Sequence, residues 1–168
     1  IKDIPKKILD KDFPNDIDIR GEVFIQNSDF EKLKEKFANP RNAASGSLRQ
    51  KNPEDTKKIP LNFIAYTFGF EKGLKQNKQS DYLKKLHEWG FKTNPFNKII
   101  TGIKNLIQNY NEVEQQRANL DFDIDGIVYK INNFELQKRL GNVANAPRWA
   151  IAHKFASNKA TSKILDID

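Results

Sequence analysis

Two lysines lie in strand-like segments near the end of the chain, each with small or apolar neighbours on its face. In WAIAHKF, at 149–155, Lys154 shares a face with two alanines. In FDIDGIVYKI, at 122–131, Lys130 shares a face with a glycine and a valine. Small neighbours leave room for a ligand, so the two ammonium groups are predicted to converge on one anion from adjacent strands. The alternative is that each lysine, near a strand end, extends its charge into water.

Two acidic residues are candidates for the same site. Asp125 has the opposite parity to Lys130 on an ideal strand, so both reach one site only if Gly126 forms a bulge. Glu22 lies on the polar face of an alternating strand and is a candidate ligand for a metal ion or a ribose hydroxyl. The alternative for Glu22 is an exposed carboxylate paired with Arg20, which the spacing alone favours.

Arg41 and Arg49 stand eight residues apart in a segment of small residues, 38–53. This segment has Pro near both ends and little hydrophobic periodicity, which predicts a loop or a loop with one helical turn. The planar fork of arginine suits bidentate contact with phosphate, and small neighbours permit close backbone approach. Loop arginines without a ligand are common, and that alternative stays open.

Composition narrows the classes of site that are available. The 168 residues carry a net charge of +7, with no cysteine and two histidines. The missing cysteines exclude disulfides and thiolate zinc sites, and two histidines are a poor supply for a His-based metal site or a Ser-His-Asp triad. Between Lys130 and Lys163 there are seven basic residues and one acid, which suggests a polyanionic partner such as a nucleotide phosphate or a nucleic-acid backbone. A solvated lysine-rich surface is the alternative, which charge alone does not exclude.

Length and terminal residues indicate one domain of a longer protein. A chain of this size fits a single domain, and no apolar run approaches the roughly 18 residues of a membrane span. Nothing at the N-terminus resembles a signal peptide, which predicts a soluble intracellular protein. Methionine is absent, even at position 1, so we expect the chain to be a piece excised from a longer one.

The hydrophobic patterns predict an α+β protein, because strands and helices occur without strict alternation. Residues 61–70 are apolar on both faces, as in a central strand. The other predicted strands are 17–25, 122–131, 149–155 and the closing ILDID. The predicted helices run from a capping box at Ser28 to Phe37, from an N-cap at Ser80 to Gly90, and from Ile103 to Val113.

Several motifs occur in an order that resembles the adenylation domain of bacterial NAD-dependent DNA ligases. They are RGEVFI at 20–25, FANPRNAASGSLRQ at 37–50, GFKTNP at 90–95, DIDGIVYKIN at 123–132, APRWAIAHKF at 146–155 and the closing TSKILDID. The resemblance covers almost the whole chain. It implies a partial nucleotidyltransferase fold of the ATP-grasp-like DNA ligase and mRNA-capping type, with mixed or antiparallel sheets flanked by helices. Residues 1–168 would then be the C-terminal portion of an adenylation domain, truncated at both ends.

The resemblance also implies roles for the matching residues. Glu22 is similar to the acid beside the nucleotide sugar, and Lys130 and Lys154 to the lysines that meet the adenylate phosphate. Asp125 resembles the acid linked to divalent-metal catalysis, which makes it the candidate Mg²⁺ ligand. These four residues are therefore the expected catalytic and cofactor-binding positions.

The implied reaction is the sealing of nicks in duplex DNA. A lysine attacks the α-phosphorus of NAD, the AMP passes to a 5′-phosphate at a nick, and the 3′-hydroxyl displaces it. Arg41 and Arg49 are similar to arginines that engage phosphates of the cofactor or of nicked DNA. The implied partners are NAD, Mg²⁺, nicked double-stranded DNA and further domains of the same chain, with zinc only in a downstream part. The setting is the bacterial cytoplasm, in DNA replication and repair, with no membrane.

One feature of the family is missing from these residues. The nucleophile of the family is the lysine of a Lys-x-Asp-Gly motif, whereas the only similar string here, 123–126, has Asp in place of Lys. We therefore expect this chain to supply the phosphate-binding surroundings but not to adenylate itself. Two alternatives remain: an ATP-dependent polynucleotide ligase or capping-type nucleotidyltransferase, and a basic DNA-binding module without chemistry.

Overall fold

A computed structural model describes residues 1–144, 146–156, 163 and 166. This part of the chain combines six short or medium strands with six α-helices. In chain order they are β1 (Asp16–Phe24), α1 (Asn27–Phe30), α2 (Pro40–Leu48), α3 (Pro53–Lys57), β2 (Asn62–Lys72), α4 (Gln79–Glu88), α5 (Ile103–Gln116), β3 (Gly126–Lys130), α6 (Phe134–Leu140), β4 (Asn142–Val143), β5 (Ala146–Pro147) and β6 (Ala150–Lys154). The pairs β1–β2, β3–β6 and β4–β5 form three antiparallel two-stranded sheets. The predicted α+β class is confirmed.

The longest sheet, β1–β2, is interrupted by a bulge. The pairing of Arg20 and Gly21 with β2 passes over Tyr66, which is left without an opposite residue. Any side chain at Gly21 would collide with the Phe63 ring and the β2 backbone, so only glycine permits this close approach. The bulge fixes where the side chains around Tyr66 point.

The central position predicted for the strand at 61–70 is wrong within the described residues. There β2 pairs with β1 alone, and on its other edge the Ala65 N–H donates a single hydrogen bond to the Lys92 carbonyl (2.8 Å). The apolar residues of β2 have a different explanation. One face packs against α4, while Phe70 stays 55% exposed.

Helix α4 and the β1–β2 sheet enclose the main hydrophobic core. Its buried members are Phe63, Ala65, Tyr82, Leu86, Trp89 and Phe91. Each fully buried apolar side chain of this size stabilises the fold by about 1.5–3 kcal/mol. A second buried cluster, comprising Ile25, Phe30, Ala43, Ala44 and Leu61, holds α2 against the end of β1. Both ends of the β1–β2 sheet are therefore fixed by packing.

The loop predicted for 38–53 is wrong, because most of that segment is helical. Asn39 caps α2 by accepting a hydrogen bond from the Asn42 N–H (2.8 Å), and Pro40 occupies the first turn. Ala43, Ala44 and other small residues of α2 are buried. They give little periodic signal, yet their size is what allows the helix to approach the second cluster closely.

Two predicted helix starts are wrong for one shared reason. The Ser28 N–H and hydroxyl both donate to Asp121 (2.8 and 2.7 Å), so Ser28 does not form the predicted capping box, and α1 ends at Phe30. The Ser80 N–H donates to Asn132 (2.8 Å), and α4 begins one residue earlier than the predicted cap. In both cases the serine donates to a side chain from a distant part of the sequence. The local pattern predicts instead that the serine forms its hydrogen bonds within its own helix.

The predicted helix near 103–113 exists as α5, but its apolar stripe is only partly covered. Ile103 is 76% exposed and Ile107 is 51% exposed. Within the described residues, these two apolar side chains of α5 are therefore mostly uncovered. The predicted final strand, ILDID at 164–168, lies outside the described residues except for Asp166.

Candidate functional site

The β3–β6 sheet carries the two predicted lysines on one face. Gly126 pairs with Lys154 and Lys130 pairs with Ala150, in an unbroken antiparallel register. Residues opposite each other in such a pair share a face, and four residue steps along the strand separate the two lysine backbones by about 13 Å. The two lysines thus lie on neighbouring strands and on one face of the sheet, as the sequence pattern predicts. That both ammonium groups meet one anion stays a prediction.

Lys154 has an acidic partner immediately beside it. Its ammonium lies 2.8 Å from a carboxylate oxygen of Asp125, and both side chains are mostly exposed, at 63% and 73%. The hydrogen bond from Lys154 lowers the pKa of Asp125, and the charge of Arg41 lowers it further. Asp125 precedes β3, and the Phe155 N–H donates to its carbonyl (2.8 Å). The structure therefore pairs Lys154 with Asp125, and Arg41 acts on Asp125 through its charge and not through a direct contact.

The bulge considered for Gly126 is not present. The register of β3 with β6 is regular from Gly126 onward, and Asp125 reaches Lys154 rather than Lys130. A side chain at Gly126 would collide with the backbone of β6 at His153, so this glycine serves close strand approach.

Lys130 has a different environment from Lys154. Its ammonium lies 4.9 Å from the centroid of the Tyr66 ring, a cation–π contact, and burial lowers its pKa. Tyr66 is 38% exposed, and its carbonyl accepts a hydrogen bond from Gln79 Nε2 (2.9 Å). Sequence reasoning missed Tyr66 because the bulge that places it has no signature in the alternation of β2.

Glu22 lies on the same face of the β1–β2 sheet as Tyr66. It pairs across the sheet with Ile64, two residues before Tyr66 on β2. The Arg20–Glu22 ion pair that spacing favours is not formed. Within the described part of the chain the Glu22 carboxylate has no charged partner, and the Arg20 guanidinium lies against Gly69 instead, where a side chain would collide with it. Glu22 is free to accept hydrogen bonds from a ligand.

Arg41 and Arg49 are positioned by helix α2. Arg41 is in its first turn and Arg49 is its C-cap residue, and both are exposed. Eight residues of α-helix separate them by about 12 Å along the axis. The acids nearest in sequence to Arg49 are engaged elsewhere: Glu54 pairs with a lysine at 3.5 Å and Asp55 with another at 2.9 Å. Arg49 therefore presents its fork outward.

A family model described as the NAD-dependent DNA ligase adenylation domain matches residues 1–158. The chain belongs to this family. The resemblance in the sequence motifs is thereby confirmed. No helix within the described residues of this adenylation-domain chain has the length and apolar character needed to cross a membrane.

The family's curated relatives are considerably longer than this chain. It is 64% identical over 168 residues to a DNA ligase of Pelagibacter ubique, covering all of this chain and 25% of the relative. DNA ligases of Bartonella bacilliformis and Xanthobacter autotrophicus are each 46% identical over 176 residues, covering all of this chain and 24% of each relative. The chain thus spans about a quarter of the length of these relatives.

Proposed function

We propose that the complete protein is an NAD-dependent DNA ligase that seals nicks through lysyl-adenylate and DNA-adenylate intermediates. In this proposal the 168 residues are the C-terminal part of the adenylation domain, in the nucleotidyltransferase fold. The observation that carries the proposal is the family match over residues 1–158, joined to the Lys154–Asp125 pair on the β3–β6 sheet. The family match favours NAD over the ATP-dependent or capping-type alternative.

The cations of this site suit a phosphate whose charge grows during transfer. An amine attacks the α-phosphorus, the bond from phosphorus to the nicotinamide mononucleotide oxygen breaks, and the phosphoryl oxygens need preorganised positive charge. Lys154 supplies it by exchanging its exposed Asp125 partner for a phosphate. Lys130 supplies it from a more buried position. The chain contains no Lys-x-Asp-Gly string, so the proposed nucleophile belongs to another part of the complete protein.

The neighbouring face of β1–β2 suits a nucleoside. Tyr66 offers a partly exposed ring on which a base can stack, and such stacking contributes about 1–3 kcal/mol per base. Glu22, on the same face, offers acceptors for the hydroxyls of a ribose. Lys130 lies over Tyr66 and connects this face to the phosphate-binding one.

A magnesium ion fits this site only together with the substrate. Within the described ranges no three acidic or histidine residues are close enough to hold an ion by themselves. Magnesium commonly uses one or two carboxylates and completes its shell with water and substrate phosphate, so Asp125 with a bound phosphate is a suitable donor set. The ion would neutralise charge on the phosphate.

The remaining partner in the proposal is nicked double-stranded DNA. The two outward arginines of α2, Arg41 and Arg49, are suited to backbone phosphates, which bind through charge and forked hydrogen bonds. A ligase that closes nicks during replication and repair acts where the chromosome is. The proposal therefore includes the bacterial cytoplasm and the other domains of the same ligase chain.

Single-lysine variants of the complete ligase test this function. Lys154→Ala and Lys130→Ala are each expected to slow NAD-dependent self-adenylation by about 100-fold, the cost of removing one preorganised group at a developing charge. Lys34→Ala is the matched control, because Lys34 pairs with Glu31 on the surface near α1. Normal rates in both site variants would overturn the assignment.

Substrate exchange separates the alternatives. Labelling by ATP but not by NAD would favour the ATP-dependent class. Salt-sensitive binding to nicked and intact duplex without labelling by either nucleotide would favour a DNA-binding module without chemistry.

A further inference from the structure

Tyr110 of α5 contacts three consecutive residues at the end of β6. Its hydroxyl donates a hydrogen bond to the Lys154 carbonyl (3.1 Å). Its ring stacks on His153 with centroids 3.9 Å apart and planes 19° apart, and lies 5.2 Å from the Phe155 ring. One side chain therefore fixes the backbone and both neighbours of the lysine that the proposed function places at the phosphate.

These contacts come from behind the ligand face of the sheet. His153 lies opposite Ile127 in the register, so it points away from the face that carries Lys154. Tyr129 reinforces this side, with its hydroxyl 3.1 Å from His153 Nδ1. Tyr110 thus cannot touch a phosphate held by Lys154, and any effect it has on chemistry passes through the strand.

The rest of α5 adds little to this contact, apart from Arg117 at the end of the helix, which lies 5.7 Å from the Phe155 ring centroid. Ile103 and Ile107 of the same helix remain largely exposed, so α5 does not dock on β6 through a continuous apolar stripe. Burial raises the pKa of Tyr110, and nearby Glu114 raises it further, which keeps the hydroxyl protonated as a donor at neutral pH.

We infer that Tyr110 is a positioning residue for adenylyl transfer, holding the end of β6 so that the Lys154 ammonium meets the reacting phosphate. This inference rests on the proposed function. The residue after Lys154 is also held by its amide on the Asp125 carbonyl and by burial of its ring, whereas the Lys154 carbonyl itself is bonded by Tyr110. Loss of Tyr110 lets Lys154 move without removing it, and misplacement by about 1 Å can cost about 100-fold in rate.

Two substitutions of graded size test the role in the complete ligase. Tyr110→Phe removes only the hydroxyl, and Tyr110→Leu also removes the stacking ring. We expect the maximal rate of self-adenylation to fall about threefold and about 30-fold, respectively, with the KM for NAD changed less than twofold, because ground-state binding is retained. Asn111→Ala, on an exposed neighbouring position of α5, is the matched control and should match the wild type.

The kcat-against-KM split separates positioning from simple stabilisation. A lowered melting temperature with an unchanged rate per folded molecule, in Tyr110→Phe and in Tyr110→Leu if it folds, would overturn the inference. Lys154→Ala, measured in parallel, tests the proposed role of Lys154 separately from the positioning role of Tyr110. If Lys154→Ala is normal, the proposed role of that lysine fails; if it is impaired while both Tyr110 variants are normal, only the positioning role fails.

Discussion

Two carboxylate–lysine pairs in this chain have nearly equal lengths and different consequences. The Asp125–Lys154 pair is 2.8 Å long and mostly exposed, and such pairs contribute only about 0–1 kcal/mol to folding. The Asp10–Lys85 pair is 2.7 Å long, has side chains 24% and 21% exposed, and shares its carboxylate with the Trp89 indole N–H. Because the first pair is exposed, Lys154 can exchange the Asp125 carboxylate for a ligand. The second pair holds the N-terminal segment against α4.

The Asp10 contacts predict a specific dependence of stability on pH. Hydrogen bonds from Lys85, from the Asp12 N–H and from Trp89 lower the pKa of Asp10 from 3.8 to about 2. A group with a depressed pKa in the folded state stabilises fully above its unfolded pKa, and this contribution is lost as pH falls from near 4 towards 2. Asp10→Asn should therefore be less stable than wild type at pH 7 and pH 5, with the difference shrinking at pH 3.

Urea unfolding of this chain, followed by tryptophan fluorescence at the three pH values, measures the difference. Asp55→Asn is the control, since Asp55 forms only an exposed pair with Lys58. A deficit in Asp10→Asn that is the same at pH 3 as at pH 7 would contradict the assigned contacts.

At the scale of elements, the sequence predicts what depends on local pattern and misses what depends on distant partners. The alternating strand containing Glu22 and the two lysine strands are found close to their predicted places, because each has a regular period. The Tyr66 bulge and the Arg20 contact with Gly69 are not predictable from period, since both arise from how β1 approaches β2. Helix α2 is likewise not predictable from period, because its small residues allow close packing and do not form a periodic apolar stripe.

Two adjacent asparagines give a matched test of how elements are joined. Asn132 accepts from the Ser80 N–H of α4, and Asn133 accepts from the Leu136 N–H of α6 (2.8 and 2.9 Å). Replacing either with Ala should cost about 1 kcal/mol in the free energy of unfolding, the usual value of a lost cap. Only Asn132→Ala should also slow self-adenylation of the complete ligase, because it releases the segment that follows Lys130. Equal rates in the two variants would show that this link does not position Lys130.

The outward position of Arg49 at the end of α2 predicts a role in DNA contact rather than in stability. In the complete ligase, Arg49→Ala should reduce nick sealing by about 30-fold, or about 2 kcal/mol, within the range of about 1.5–3 kcal/mol for a charge-assisted hydrogen bond, with little change in melting temperature. The logarithm of DNA affinity against that of salt should become shallower by about 0.9, one phosphate contact. Arg49→Lys is the control that keeps the charge. Wild-type sealing with a lowered melting temperature would instead indicate that Arg49 only steadies its helix.

At the scale of the whole molecule, the β3–β6 sheet is exposed on both faces within the described residues. Val128, between the two lysine positions, is 55% exposed, and Ile151 on the opposite face is 67% exposed. A two-stranded sheet with apolar residues exposed on both faces is marginal alone and is normally covered. Because the chain spans about a quarter of its relatives, we propose that other parts of the complete ligase cover this sheet and bring the nucleophile to it.

This arrangement predicts that the 168 residues alone form no covalent adenylate with NAD and Mg²⁺. The chain has many lysines, but none lies in a Lys-x-Asp-Gly context, and a lysine that is not held in line with the α-phosphorus loses most of the rate gained from orientation. In this proposal Lys154 and Lys130 bind the phosphate, and the attacking amine comes from another part of the complete ligase. The measurement is base-stable, acid-labile labelling of the protein by NAD carrying radioactive phosphate in its adenylate half, as a phosphoramidate requires. The complete ligase is the positive control, and the complete ligase bearing Lys154→Ala is measured beside it. Labelling of the 168-residue chain at one defined lysine would show that the nucleophile lies within this chain and not in another part of the complete ligase.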